Sequence, residues 1–195
     1  MTTYELLTFL HIAAAIIWLG AGFLLGVLVF GAVRAGDRVR EAGYHRDVAW
    51  LAPRLFIPAS MSTMVFGILL VIDGDWDLGT FWITIGLAGW LVSFLLGILY
   101  FKPEGERIGK LVEQYGPQNA EADARLHRLN IVDRLQLTIL FLVVADMVIK
   151  PTGDDSGVLI VGALILAAAI MVAVRMVRGR AQESGTGQGL PSRSR

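Results

Sequence analysis

Two ionisable residues, His11 and Asp146, stand inside long apolar runs. An ionisable side chain in such a run marks a candidate proton, ion or cofactor site. A histidine and an aspartate within reach of each other titrate as one coupled unit. Met61, Met64 and Met147 offer thioethers to Cu(I). Methionine is equally an ordinary filler of helix surfaces. The run Asp73, Asp75, Asp77 looks briefly like a calcium loop. Leu78 stands where that loop needs glycine and Thr84 where it needs a bidentate glutamate, so the run reads as an acidic turn. His45 and His127 stand alone in charged segments and read as solvated. The chain has no cysteine, which excludes disulfides, zinc–thiolate sites, iron–sulfur clusters and thiol nucleophiles. No G-x-S-x-G, P-loop or H-E-x-x-H pattern occurs. These residues point to a non-enzymatic accessory or scaffold. The alternative is a small-molecule, metal or proton transporter using His11 and Asp146.

The elements that must position these residues are helices in lipid. Hydrophobic residues make up 55% of the 195 and charged residues 17%, against roughly 25% charged in an average soluble domain. A bilayer core takes about 20 mainly apolar residues per helical crossing. On that count the chain is an all-α polytopic transmembrane bundle of about five spans, at residues 4–33, 55–72, 80–101, 131–149 and 157–177. The bundle occupies 1–178 and includes a cytoplasmic helical loop at 103–130. Residues 179–195, rich in Gly, Ser and Arg, read as a disordered basic tail. The first run is too long for a signal peptide and lacks a basic leader, so it reads as a retained span.

Charge sets the expected orientation, since Lys and Arg collect on the cytoplasmic side. Sixteen of the seventeen basic residues fall in the segments on one side, and only Lys150 falls on the other. Such a split needs an odd number of spans. It puts the N-terminus outside and the C-terminus in the cytoplasm, across a cell (inner) membrane. On rise per residue His11 then lies ~10 Å from its end of span one and Asp146 ~6 Å from its end of span four, in the same outer leaflet. They meet if those spans are neighbours.

Residues 34–54 predict a short helix on the inner leaflet, broken at Gly36 or Gly43. Pro103 opens a second short helix, with Ile108, Leu111, Val112 and Tyr115 as an amphipathic stripe that Gly116 and Pro117 end. Another helix runs from about Gln118 into span four. Gly22 and Gly26 in span one, and Gly89, Ser93 and Gly97 in span three, recur at fourfold spacing. Small residues so placed let helices approach closely, either within one bundle or across a homodimer. The expected partner is the lipid bilayer; nothing in the charge pattern points to nucleic acid.

Several segments together carry a resemblance. Phe9, Leu10, His11 and Ile12 leading to Trp18, Leu19 and Gly20 are the first. Leu55, Phe56, Ile57, Pro58 and Ala59 with Gly67 are the second, and Tyr100, Phe101, Lys102 and Pro103 the third. Val143, Val144, Ala145, Asp146, Met147, Val148, Ile149, Lys150 and Pro151 are the fourth. In order, they resemble the bacterial membrane proteins grouped as unknown-function family twenty-two sixty-nine, over roughly residues 4–151. The resemblance implies a multi-span protein with no assigned activity. The opening His11 followed by Trp18 is also similar to copper-resistance D-type membrane proteins and to heme-associated protoporphyrinogen oxidases. The oxidases pair that histidine with a lysine in a later span. Lys102 and Lys150 fall at span ends, so only His11 carries over, and this similarity implies one further alternative, a membrane redox protein binding heme or copper through His11.

Overall fold

The computed structural model describes residues 1–116 and 118–186. Seven α-helices account for most of them: α1 Thr3–Ala35, α2 Arg38–Leu51, α3 Ile57–Asp73, α4 Phe81–Leu96, α5 Lys102–Tyr115, α6 Ala120–Ile149 and α7 Ser156–Thr186. No strand occurs among the described residues. Helix α7 runs through residue 179, where the tail was expected to begin, and residues 187–195 lie outside the described ones.

Helix ends follow local chemistry. Thr2 and Glu5 form a reciprocal capping box at the start of α1, and Gly36 closes that helix in the left-handed conformation at φ 68°. Asp37 and Asn119 cap α2 and α6 through their side chains. Gly43 breaks nothing, because α2 passes through it and continues into α3 as one helical stretch, Arg38–Asp73. Two widened turns interrupt the long helices, Ala52–Phe56 before Pro58 and Gly97–Phe101 before Pro103. Each sits where a proline ring would strike the carbonyl four residues earlier. The chain answers with i→i+5 bonds, Ile57 N–H to the Ala52 carbonyl and Lys102 N–H to the Gly97 carbonyl.

Four helical stretches are long and apolar enough to cross a membrane: Thr3–Ala35, Arg38–Asp73, Phe81–Tyr115 and Ser156–Gly179. Asp133, Arg134 and Asp146 dilute the apolar stretch of α6, a long helix that is not among those four. It lies antiparallel to α4, with Met147 against Gly86 and Val143 against Gly89. At one end the Lys150 ammonium sits 5.2 Å from the ring centres of both Trp76 and Trp82. At the other, Arg125 bridges to Glu104 of α5. Large apolar side chains remain exposed along α1, α3, α4 and α7, as lipid-facing helices require. The protein is an all-α transmembrane bundle.

The tightest packing is not among the spans. Helices α2 and α5 and the first turns of α6 form a cap at one end, where Ala42, Ile108, Leu126 and Leu129 make a buried cluster. The stripe read from residues 108–115 thus packs on the chain's own helices through Ile108 and Val112, while Tyr115 stays exposed. Gly105 lets α2 close on α5: a Cβ there would lie 3.4 Å from the His45 carbonyl oxygen.

Candidate functional site

His11 and Asp146 are not brought together as a pair. The His11 Nδ1–H donates to the Thr63 carbonyl of α3 at 2.8 Å, and the imidazole lies against Gly67, where a Cβ would come within 3.0 Å of the ring. Asp146 is buried against α4 beside Gly86, and neither carboxylate oxygen has a hydrogen-bond partner. The register explains the separation. Phe23 packs edge-on against Phe141, and Gly26 faces Leu137. Continued along the two antiparallel helices, that register sets Asp146 level with about residue 18 of α1. His11 is then roughly 10 Å further along the axis. Depth was a sound argument from the sequence; it lacked the register.

The small residues divide into two roles. Gly89, with Gly86 beside it, admits α6 at contact distance, since a Cβ at either would strike Val143 or Met147. Gly26 similarly faces Leu137 and the Asp133 carboxylate, at 3.2 and 3.5 Å from a built Cβ. These faces are taken up by the chain's own helices. Gly22 and Gly97 instead line empty space: a Cβ at Gly97 meets nothing within 4 Å. Ser93 lines the same space.

That space is a cavity of about 110 Å³ enclosed by α1, α3, α4 and α6, with α2 at its cap end. Both widened turns contribute to it, through Ala52, Phe56, Gly97 and Phe101. Its polar groups are Ser60, Ser93, Asp133 and Gln136, with Lys102 at the cap end. The two serines are 2% and 1% exposed, and their hydroxyls have no partner; nor has Gln136 Oε1. Buried polar atoms are satisfied in nearly all native structures, so three such atoms around one cavity require explanation. A second cavity of about 180 Å³ lies between α1 and α6, and Asp133 and Leu137 line both. Asp133 forms no hydrogen bond or ion pair among the described residues. Arg134, next in sequence, extends over the Phe30 ring and toward the Met176 sulfur instead.

Sequence reasoning singled out none of Asp133, Ser60 and Gln136 as a site residue. One signal was available. Asp133 and Gln136 are three apart in the least apolar span, hence on one helix face.

The cap holds a polar network of its own. Glu41 is fully buried; it pairs with Arg38 at 2.9 Å and accepts from Asn130 Nδ2 at 2.7 Å. Arg38 also reaches Asp123, at 2.8 Å. Because the Asn130 amide nitrogen is engaged by Glu41, its oxygen must accept, and His45 Nε2–H donates to it at 2.9 Å. His45 is thus buried and bonded, correcting the expectation of a solvated side chain. Burial holds its imidazole below the ordinary 6.5, opposed by the Asn130 bond and the Glu41 charge. His127 is half-buried, with Nε2 3.4 Å from the Met176 carbonyl of α7.

Four helices able to cross a membrane, the long α6 packed among them and a polar cap describe a polytopic helical membrane protein. The profile described as "Predicted integral membrane protein (DUF2269)" matches residues 5–151. The chain belongs to that family of predicted integral membrane proteins, for which no activity is known. No curated protein and no solved structure matches it.

Proposed function

We propose that the chain is a solute-binding membrane protein of the transporter class, with its site at the Asp133 cavity rather than at a His11–Asp146 pair. The observation that carries this reading is the set of unpartnered atoms around one cavity: the Ser60 and Ser93 hydroxyls and Gln136 Oε1. A buried polar group without a partner costs about 1–3 kcal/mol. A scaffold built only for packing gains by replacing all three with apolar side chains, whereas a solute with matching groups makes them useful. The proline-linked widened turns beside the cavity fit the same reading, since substrate sites in transporters form where helices are interrupted. The test is the melting temperature of the full-length protein in detergent against a panel of small cations, anions and neutral polar solutes. A stabilising solute should lose its effect in Gly97→Val, which puts a side chain into the cavity at a position where a Cβ meets nothing within 4 Å. If no solute stabilises the wild type, or if stabilisation is unchanged in Gly97→Val, the cavity is not the site.

The orientation is part of the proposal: inner membrane, N-terminus outside, cap in the cytoplasm. Its support is the sixteen-to-one split of basic residues. A cysteine at Gly153 should react with an impermeant thiol reagent in intact cells, and one at Gln114 should not. The reverse labelling overturns it.

One observation favours a redox reading. With Nδ1–H given to a backbone carbonyl, neutral His11 keeps its lone pair on Nε2, the tautomer of a metal-bound imidazole. A heme or copper site there predicts an absorption band that His11→Ala removes.

A further inference from the structure

We propose that the solute held at the Asp133 cavity is a small organic cation of the primary-ammonium type, with Asp133 as its counter-ion; this rests on the reading of the cavity as a solute site. The charge balance of the bundle points first to a cation. A carboxylate inside membrane-spanning helices is costly unless a positive charge or hydrogen-bond donors meet it. Asp133 makes no hydrogen bond or ion pair among the described residues; the charge that acts on it is that of Arg134, next in sequence. Arg134 points over Phe30 and toward the Met176 sulfur and forms no ion pair with it. Lys102 lines the cap end with an exposed side chain, from which its ammonium reaches water.

The lining then selects among cations. The three buried unpartnered atoms around the cavity, the two serine hydroxyls and Gln136 Oε1, can all accept, and the Asp133 carboxylate beside them is an acceptor when ionised. An ammonium head carries three donors and no acceptor, so this acceptor-rich set suits it and suits an anion badly. Hard metal ions take six or more oxygens in calcium-type sites, and four side chains spread over three helices do not supply them. The remaining wall is apolar and aromatic, with Trp18, Phe56, Phe94 and Phe101. Aromatic rings attract an organic cation and accept its alkyl part. The second cavity reaches the same carboxylate from between α1 and α6, past Asn130, so Asp133 is a group the cation meets from either side.

The probe is methylammonium chloride on the detergent-solubilised full-length protein, with sodium chloride at equal ionic strength as the salt control. Ethylene glycol and sodium formate serve as neutral and anionic probes. Methylammonium should raise the melting temperature by about 3–6 °C at ten times its Kd, and Asp133→Asn should abolish the rise. Should Asp133→Asn not fold, Gln136→Leu provides the same comparison with the carboxylate intact, and the rise should shrink. Stabilisation by ethylene glycol or formate that is lost in Gly97→Val, with none from methylammonium, overturns the cation and leaves the cavity as a solute site. A methylammonium effect that survives Asp133→Asn also overturns the proposal. No effect from any probe, in wild type or Gly97→Val, overturns both.

Discussion

Asn130→Ala tests the cap network most directly, because one side chain serves two buried partners. Asn130 donates to Glu41 at 2.7 Å and accepts from His45 at 2.9 Å. Glu41 is fully buried and His45 is 6% exposed, so water cannot replace the lost amide at either without opening the cap. An orphaned buried group costs about 1–3 kcal/mol, which for two orphans gives about 2–6 kcal/mol. For a chain of this size that corresponds to a fall in melting temperature on the order of 10 °C. Glu41→Gln should cost less. It keeps the acceptor facing Asn130, and Arg38, partly exposed, retains Asp123 and water. The assay is thermal unfolding in detergent followed by tryptophan fluorescence, on Asn130→Ala, His45→Ala and the double variant. The double variant should be less destabilised than the two single costs combined, by about 1–3 kcal/mol, because removing His45 relieves one orphan. An Asn130→Ala protein within about 0.5 kcal/mol of wild type, or strictly additive variants, would refute the reasoning. The consequence extends to the cavity, since α2 supplies Val48 and Ala49 to its wall as well as His45 to the network.

The two kinds of glycine should separate in stability. Gly89→Leu drives a side chain into Val143 and should destabilise by more than about 2 kcal/mol. Gly97→Ala meets nothing and should be neutral or slightly stabilising, by up to about 1 kcal/mol from helix propensity. Unfolding titrations of the two variants give the comparison; equal losses in both would show that close approach is not what Gly89 provides. Stability should also fall as pH drops below about 6.5. Folded His45 resists protonation because it is buried, while the unfolded chain takes up the proton at its ordinary value. His45→Gln should flatten that part of the stability profile, and an unchanged slope would assign it to other groups.

Much of the fold was legible in the residues. The apolar helices follow from run length and the end of α5 from Gly116. Transfer of a helix into lipid depends on its own residues, one by one and nearly additively, so such features need no knowledge of the neighbours. The widened turns at Ala52–Phe56 and Gly97–Phe101 were not foreseen; Pro103 was expected to open a helix, and the chain instead runs helical from Phe81 to Tyr115. The site was legible only as residue types. His11 was noticed, but its carbonyl partner on α3 and the opening left by Gly67 were not. Ser93 and Gly97 were read as packing residues, and they line a cavity.

His11 and Asp146 mark the boundary between the two kinds of knowledge. The sequence by itself determined that both lie inside spans, near the same end of the bundle. Only the tertiary structure decided that they face different helices, and that Asp133, Gln136, Ser60 and Ser93 converge instead. The reason is that lipid is as apolar as leucine. A membrane helix can be apolar all round, so no stripe reveals which face turns inward. Azimuth, register and neighbour arise from pairwise contacts between distant segments, such as Gly89 on Val143 or Phe23 on Phe141, and these exist only once the helices have packed.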